Sequence, residues 1–150
     1  MHKDFAREYF EIQLTSMEND NKYKVTSQSD FVALVQVQAG NYLPVLRIQA
    51  DNFDLEPPII EFADPATGER LIDNNWPTGS PIATGNNLFP GFIICVTGNK
   101  VYHTHPSHLQ ESFHKHRNTF SLKRFIDRIM EKIVSGQLNM ANTGGIYNAR

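Results

Sequence analysis

One segment of the chain concentrates the side chains that are capable of chemistry. Residues 95–116, "CVTGNKVYHTHPSHLQESFHKH", hold the only cysteine, Cys95, and five of the six histidines. A thiolate beside an imidazole is a nucleophile with its base. The plain alternative is that a cysteine within "FIICV" packs as a small buried residue, while the histidines lie on a solvated loop. The segment therefore predicts either a reactive thiol, a metal site or an ordinary packed strand.

The metal hypothesis uses the same residues. Zinc takes sulfur and nitrogen donors in a tetrahedron, and the spacing His-x-His-x-x-His occurs in such sites. The predicted zinc ligands are Cys95, His103, His105 and His108, with Glu111, His114 and His116 as further donors. A histidine-rich loop can also lie beside a strand-end cysteine without holding an ion, so the metal-site hypothesis stays open.

Composition limits the class of protein. The chain has 150 residues, 40% apolar and 20% charged, with a net charge of −2. These values predict one globular domain and give no global attraction for nucleic acid or anionic lipid. No apolar run approaches the roughly 20 residues that cross a bilayer, and charges interrupt the N-terminal "MHKDFAREYF". With one cysteine and no signal-peptide pattern, we expect a protein of the reducing cytoplasm with no membrane partner.

Periodicity predicts the helix and the strands that precede Cys95 in the chain. Helical spacing of Phe5, Tyr9, Ile12 and Leu14 predicts a helix over residues 4–17. Alternation in "FVALVQVQAG" and "YLPVLRIQA" predicts antiparallel strands of a meander, and "IIEFADP" after a Pro-Pro turn predicts a further strand. The buried alternating positions are Val35, Val37, Leu46 and Ile48.

The second half of the chain predicts a loop, the cysteine segment and a helix. Residues 64–87 are rich in Asp, Asn, Gly, Pro and Thr and predict a long loop in which Trp76 is a packing anchor. An amphipathic helix follows from Ser121, capped there and ended by Gly136. Its apolar face is Leu122, Phe125, Ile126, Ile129, Met130 and Ile133. We expect its basic face, Lys123, Arg124, Arg128 and Lys132, to be solvated.

This order predicts an α+β domain over residues 1–136, with residues 137–150 as a flexible C-terminal tail. The order and three motifs resemble the ubiquitin-conjugating-enzyme fold: an N-terminal helix, a four-stranded antiparallel meander and a helix after the active-site segment. The motifs are "EPPIIEF", "GFIICV" and the amphipathic helix from Ser121. The segments "FADPATGE", "LFPGFIICV" and "YHTHPSH" resemble a divergent bacterial branch of that fold. This branch is found with ubiquitin-like modification operons and is labelled predicted metal-binding.

The resemblance implies roles for particular residues. Cys95 would accept a carboxyl terminus as a thioester, and His103 or His105 would take the proton from an attacking amine or hydroxyl. The two histidines face the same way if their segment is extended. The family's His-Pro-Asn tripeptide is missing. Asn87, or the neighbouring Asn86, stands at a suitable sequence distance to hold the tetrahedral oxyanion.

The function implied by the resemblance is that of a carrier in a bacterial ubiquitin-like conjugation pathway, with a role in antiviral defence. Its partners would be a ubiquitin-like protein, an adenylating activating enzyme and a protein target, without nucleic acid and without a cofactor. Two alternatives remain beside this hypothesis. One is a catalytically inactive scaffold of the same fold, which the missing tripeptide favours. The other is a zinc-binding protein, which the density of histidines favours.

Overall fold

The computed structural model describes residues 3–53, 55–110, 112–117 and 119–149. Helix α1 (Lys3–Glu18) precedes strands β1 (Tyr23–Ser29), β2 (Val32–Val37), β3 (Val45–Gln49) and β4 (Ile59–Phe62). A hairpin of β5 (Ile82–Thr84) and β6 (Phe92–Ile94) follows, then a short α2 (Lys100–His103) and the longer α3 (Leu122–Val134). Glu111, named above as a further metal donor, lies outside the described residues. None of the helices in these ranges is long and apolar enough to cross a membrane.

The first four strands form one antiparallel sheet in the order β1-β2-β3-β4, which confirms the predicted meander. Val35 and Val37 on β2, and Leu46 and Ile48 on β3, are all buried. Because side chains alternate along a strand, this pattern gives the sheet one apolar face, and the core lies against it. Pro57-Pro58 directly precedes β4, as the sequence predicts.

The helix after the cysteine segment has the predicted face and ends. All six predicted apolar residues of α3 are buried, from Leu122 to Ile133. The Ser121 side chain accepts the backbone N–H of Arg124 at 3.3 Å, so it caps the first turn. Gly136, with φ of +80°, terminates the helix where a left-handed residue is required.

The N-terminal helix has the predicted extent but a different buried face. The side chains that α1 buries belong to Ala6, Phe10, Leu14 and Met17, whereas Phe5 and Ile12 are 66% and 58% exposed. The buried set also follows helical spacing. Two overlapping apolar stripes thus occur in one helix, and contact with the sheet and α3 selects the stripe that contains Phe10 and Met17.

The segment 64–87 is more ordered than the predicted long loop. It contains a 3₁₀ turn, Asp73–Asn75, and strand β5. Trp76 is the packing anchor that the sequence predicts, since it is buried and its indole Nε1 donates to the Leu71 carbonyl at 2.7 Å. Asp73 accepts both the Arg70 guanidinium at 2.7 Å and the backbone N–H of Phe92 at 3.2 Å, which fixes this segment to β6.

The structure differs from the expectation of a flexible tail after residue 136. Leu138, Met140 and Tyr147 belong to the buried core. The Tyr147 hydroxyl donates to the Ala63 carbonyl at 2.6 Å, and Asn139 exchanges two backbone hydrogen bonds with Thr78. Apolar residues spaced along an irregular segment carry no periodic signal, so their burial is decided by the groove into which they fit.

Candidate functional site

Cys95 lies directly after β6 and is partly exposed to solvent. Its backbone N–H donates to the Pro81 carbonyl at 2.9 Å, which continues the β5–β6 ladder by one more pair. Because alternate residues of such a ladder point to the same side, Cys95 shares a face of the hairpin with Ile93. Cys95 is therefore not among the fully buried residues of the core.

A buried asparagine that sequence reasoning missed holds this strand end in place. Asn99 is fully buried, at 0% exposure. Its Nδ2 donates to the carbonyls of Ile94 and Ile60, at 3.1 and 2.8 Å, and its Oδ1 accepts the backbone N–H of Ile60 at 3.0 Å. One side chain thus joins β4 to the residue before Cys95. In the sequence, Gly98-Asn99 has only the composition of a turn, so nothing distinguishes this residue there.

The imidazole of His103 supports the turn that follows Cys95. Its Nε2 accepts the backbone N–H of Gly98 at 3.0 Å, which requires the proton of a neutral ring to sit on Nδ1. A neutral imidazole has one acceptor nitrogen, and in His103 this nitrogen is already used. The predicted role of general base therefore requires this hydrogen bond to break first.

His105 is placed differently from His103. The segment is not extended, because Lys100–His103 forms α2 and the chain turns after Thr104. Because the backbone between them is not extended, the rings of His103 and His105 do not face the same way for the reason given in the prediction. The Nδ1 of His105 accepts the backbone N–H of Ser107 at 3.3 Å and lies 2.7 Å from the Ser107 hydroxyl. His105 caps its own local turn instead of pointing a lone pair at a substrate.

Four of the five histidines in this segment pair ring to ring, and Tyr102 contacts one ring of each pair. The rings of His103 and His116 are 6.1 Å apart, and those of His105 and His108 are 6.0 Å apart, with His108 stacked on Tyr102 at 4.1 Å. Among the described residues, no group of three or more His, Cys, Asp or Glu side chains is arranged to hold a metal ion. The predicted zinc ligands Cys95, His103, His105 and His108 are therefore not assembled as one site in this arrangement.

The two candidate asparagines for an oxyanion contact lie in the turn of the β5–β6 hairpin. The Oδ1 of Asn86 accepts the backbone N–H groups of Leu88 and Phe89, at 2.8 and 3.2 Å, and its Nδ2 donates to the Thr104 carbonyl at 3.3 Å. Asn87 is exposed beside it. Cys95 is at the opposite end of the hairpin, where three residues of β6 span about 10 Å. The hairpin thus separates Asn87 from Cys95 instead of joining them.

A cleft of about 350 Å³ opens beside this hairpin. Ile93 and Val101 line its apolar part, and Leu88 is on its rim at 73% exposure. Glu61 and Arg70 contribute the charged part, 3.8 Å apart. Burial raises the pKa of the Glu61 carboxyl, although the Arg47 and Arg70 guanidinium groups oppose that shift.

Sequence comparison adds no relative from which roles could be transferred. A scan against protein-family models finds no match, and a search of curated proteins finds none either. The chemistry of this chain must therefore be argued from its own residues.

Proposed function

We propose that the chain is a ubiquitin-conjugating-enzyme-like carrier, which accepts the carboxyl terminus of a ubiquitin-like protein on Cys95 and passes it to a protein target. The observation that carries the proposal is the position of Cys95. Cys95, a partly exposed residue, follows β6, after an N-terminal helix and a four-stranded antiparallel sheet and before an amphipathic helix. The motifs "EPPIIEF" and "GFIICV" support the same assignment.

The proposed chemistry is acyl transfer in two balanced steps. The Cys95 thiolate attacks the carbonyl carbon of a thioester on the activating enzyme, so that a new C–S bond forms and the donor thiolate leaves. An amine or hydroxyl of the target then attacks that carbonyl, the Cys95 thiolate leaves, and the proton of the attacking group passes to a base. An ordinary thiol has a pKa of about 8.5, so only a minor fraction is thiolate at neutral pH.

The experiment combines the chain with an adenylating activating enzyme, a ubiquitin-like protein and ATP, followed by non-reducing gels. We expect an adduct that thiol reductants cleave. Cys95→Ala abolishes it, and Cys95→Ser converts it to an oxygen ester that survives reductant. Absence of a reducible adduct in the natural chain, or an adduct that persists in Cys95→Ala, would refute the carrier function.

The cleft beside the hairpin offers a surface for the carboxyl-terminal tail of the ubiquitin-like protein. Ile93 lines the cleft and shares a strand face with Cys95, about two residues or 7 Å along β6. An extended carboxyl-terminal tail over this face would cover Leu88 on its rim. Leu88→Asp should therefore slow adduct formation, whereas the matched change Val134→Asp, at an equally exposed residue on α3, should leave it unchanged.

A second candidate is a non-catalytic scaffold of the same fold that binds a ubiquitin-like partner. The specific observation in its favour is that His103 and His105 both accept backbone N–H groups, while Asn87 lies at the far end of the hairpin. A scaffold predicts that Cys95→Ser and the natural chain bind the ubiquitin-like protein equally and that neither forms an adduct. Loss of all biological activity in Cys95→Ser with binding intact would contradict this second function.

A further inference from the structure

A second cavity, of about 210 Å³, lies at the start of α3 on the other side of the cysteine segment. Arg124 and Arg128 contribute its guanidinium groups, His116 contributes an imidazole, and its polar residues include Thr97 and Thr119. The described lining residues include no carboxylate. From this arrangement we propose that the cavity is a binding site for a phosphoryl group.

The two arginines have no acidic partner among the described residues, which sets them apart from other arginines of the chain. Arg7 pairs with Asp30, Arg47 with Glu61, and Arg70 with Glu61 and Asp73. Arg124 and Arg128 are four residues apart on one helix, where two like charges repel each other and destabilise the helix. A bound anion between them would remove that repulsion.

Lys123, which is next to Arg124 on the same helix, has acidic partners. Lys123 lies 3.1 Å from Asp127 and 3.4 Å from Asp20. Two acidic residues near α3, Asp127 and Asp20, are therefore paired with Lys123. Arg124 and Arg128, which line the cavity, are exposed side chains without such a partner among the described residues.

The size and donors of the cavity favour a phosphoryl group over other anions. Pockets for drug-sized ligands are typically about 300–1,000 Å³, so this smaller volume suits a single anionic group. A carboxylate is satisfied by one guanidinium fork, whereas two forks and an imidazole match the charge and the three outer oxygens of a phosphate. The N-terminal end of α3 contributes further partial positive charge in the same direction.

The test is titration of the full chain with inorganic phosphate, followed by calorimetry or by backbone amide shifts. We expect saturable binding that Arg124→Gln and Arg128→Gln each weaken about tenfold or more, because charge-assisted hydrogen bonds are lost. The control for the two arginine changes made together is the Lys24→Gln, Lys132→Gln double variant, which removes the same charge from residues that do not line the cavity. Cys95→Ala should retain the phosphate affinity, since the site is independent of the carrier function.

Two further probes distinguish the sources of the phosphoryl group. AMP that displaces inorganic phosphate with higher affinity would assign the site to nucleotides, and a phosphoserine peptide that does so would assign it to a modified protein. No saturable phosphate binding would overturn the proposal. Binding that the Lys24, Lys132 control weakens as much as the arginine variants would also overturn it, because the attraction would then reflect overall charge.

Discussion

Gly98 donates its backbone N–H to the Nε2 of His103 at 3.0 Å, three residues beyond Cys95. This bond closes the turn between the thiol and α2 and gives His103 a positioning role. The histidine that the sequence offers as a general base is thus part of the support for the cysteine segment. Its geometry gives the first prediction.

His103→Ala should destabilise the fold, because the buried N–H of Gly98 loses its acceptor at a cost of about 1–3 kcal/mol. His103→Gln should recover part of this loss, since its amide oxygen can accept the same hydrogen. Urea unfolding measures both effects, with His114→Ala as the exposed control. A glutamine variant as unstable as the alanine variant would argue against the hydrogen bond as the cause.

Gly98→Ala should be more damaging than Gly136→Ala, although both glycines have positive φ, +104° and +80°. A Cβ on Gly98 would lie 2.4 Å from the Phe120 ring, whereas a Cβ on Gly136 would meet nothing within 4 Å. We expect about 1 kcal/mol from backbone strain at Gly136 and about 3 kcal/mol or more at Gly98. Thermal unfolding of the two variants checks the difference, and equal losses would contradict the steric explanation.

Asn99→Ala should cost about 3 kcal/mol or more. It removes one acceptor and two donated hydrogen bonds from a fully buried site, and it leaves backbone groups of Ile60 and Ile94 without that partner. Asn142→Ala, at an exposed position, should stay within about 0.5 kcal/mol. Chemical denaturation compares them. A small loss at Asn99 would mean that water or a shift of β6 replaces the amide.

Glu61 should make the protein less stable as pH rises. Burial raises the pKa of its carboxyl in the folded state, so the folded state holds this proton more tightly than the unfolded chain. The contribution is fully present below the usual carboxyl pKa and is lost as pH rises through the folded pKa. In Glu61→Gln this loss is absent, so the stability of the variant relative to the natural chain should increase from pH 4 to pH 7.

Asp73→Asn should show the opposite pH dependence, so its stability relative to the natural chain should decrease as pH rises. The hydrogen bond from Arg70 lowers the pKa of Asp73, so its contribution is present above the usual carboxyl pKa and is lost as pH falls. Unfolding curves at several pH values separate the two carboxyls. A parallel pH dependence in Glu61→Gln and the natural chain would show that Glu61 does not titrate abnormally.

Deletion of residues 137–150 should destabilise the domain severely, because Leu138, Met140 and Tyr147 leave the core and each such loss costs about 2–5 kcal/mol. Tyr147→Phe should cost only about 1–2 kcal/mol, since the ring stays and the losses are the hydrogen bond to Ala63 and a longer one to Val45. Circular dichroism melting tests both. A deletion variant that melts with the natural chain would restore the expectation of a flexible tail.

Local periodicity was sufficient for β2, β3 and α3, but not for β5 and α2, which lie in segments without a periodic pattern. The alternation through Val35, Val37, Leu46 and Ile48 placed the meander, and the three- and four-residue spacing from Leu122 to Ile133 placed α3 with its caps. These signals are readable because each element contacts the core in a repeating way. In α1 the same signal was ambiguous, since two apolar stripes overlap.

Individual hydrogen bonds and ring contacts, some local and some between distant residues, decided the arrangement of the site. The amino-acid sequence by itself determined the α+β order, the packing role of Trp76 and the presence of a single thiol after an apolar strand. The folded chain was needed to establish that Cys95 is partly exposed, that Asn99 joins β4 to β6, that four histidines pair ring to ring, and that residues after 136 enter the core. These features depend on single hydrogen bonds, on ring contacts and on irregular segments, none of which leaves a periodic pattern in the sequence.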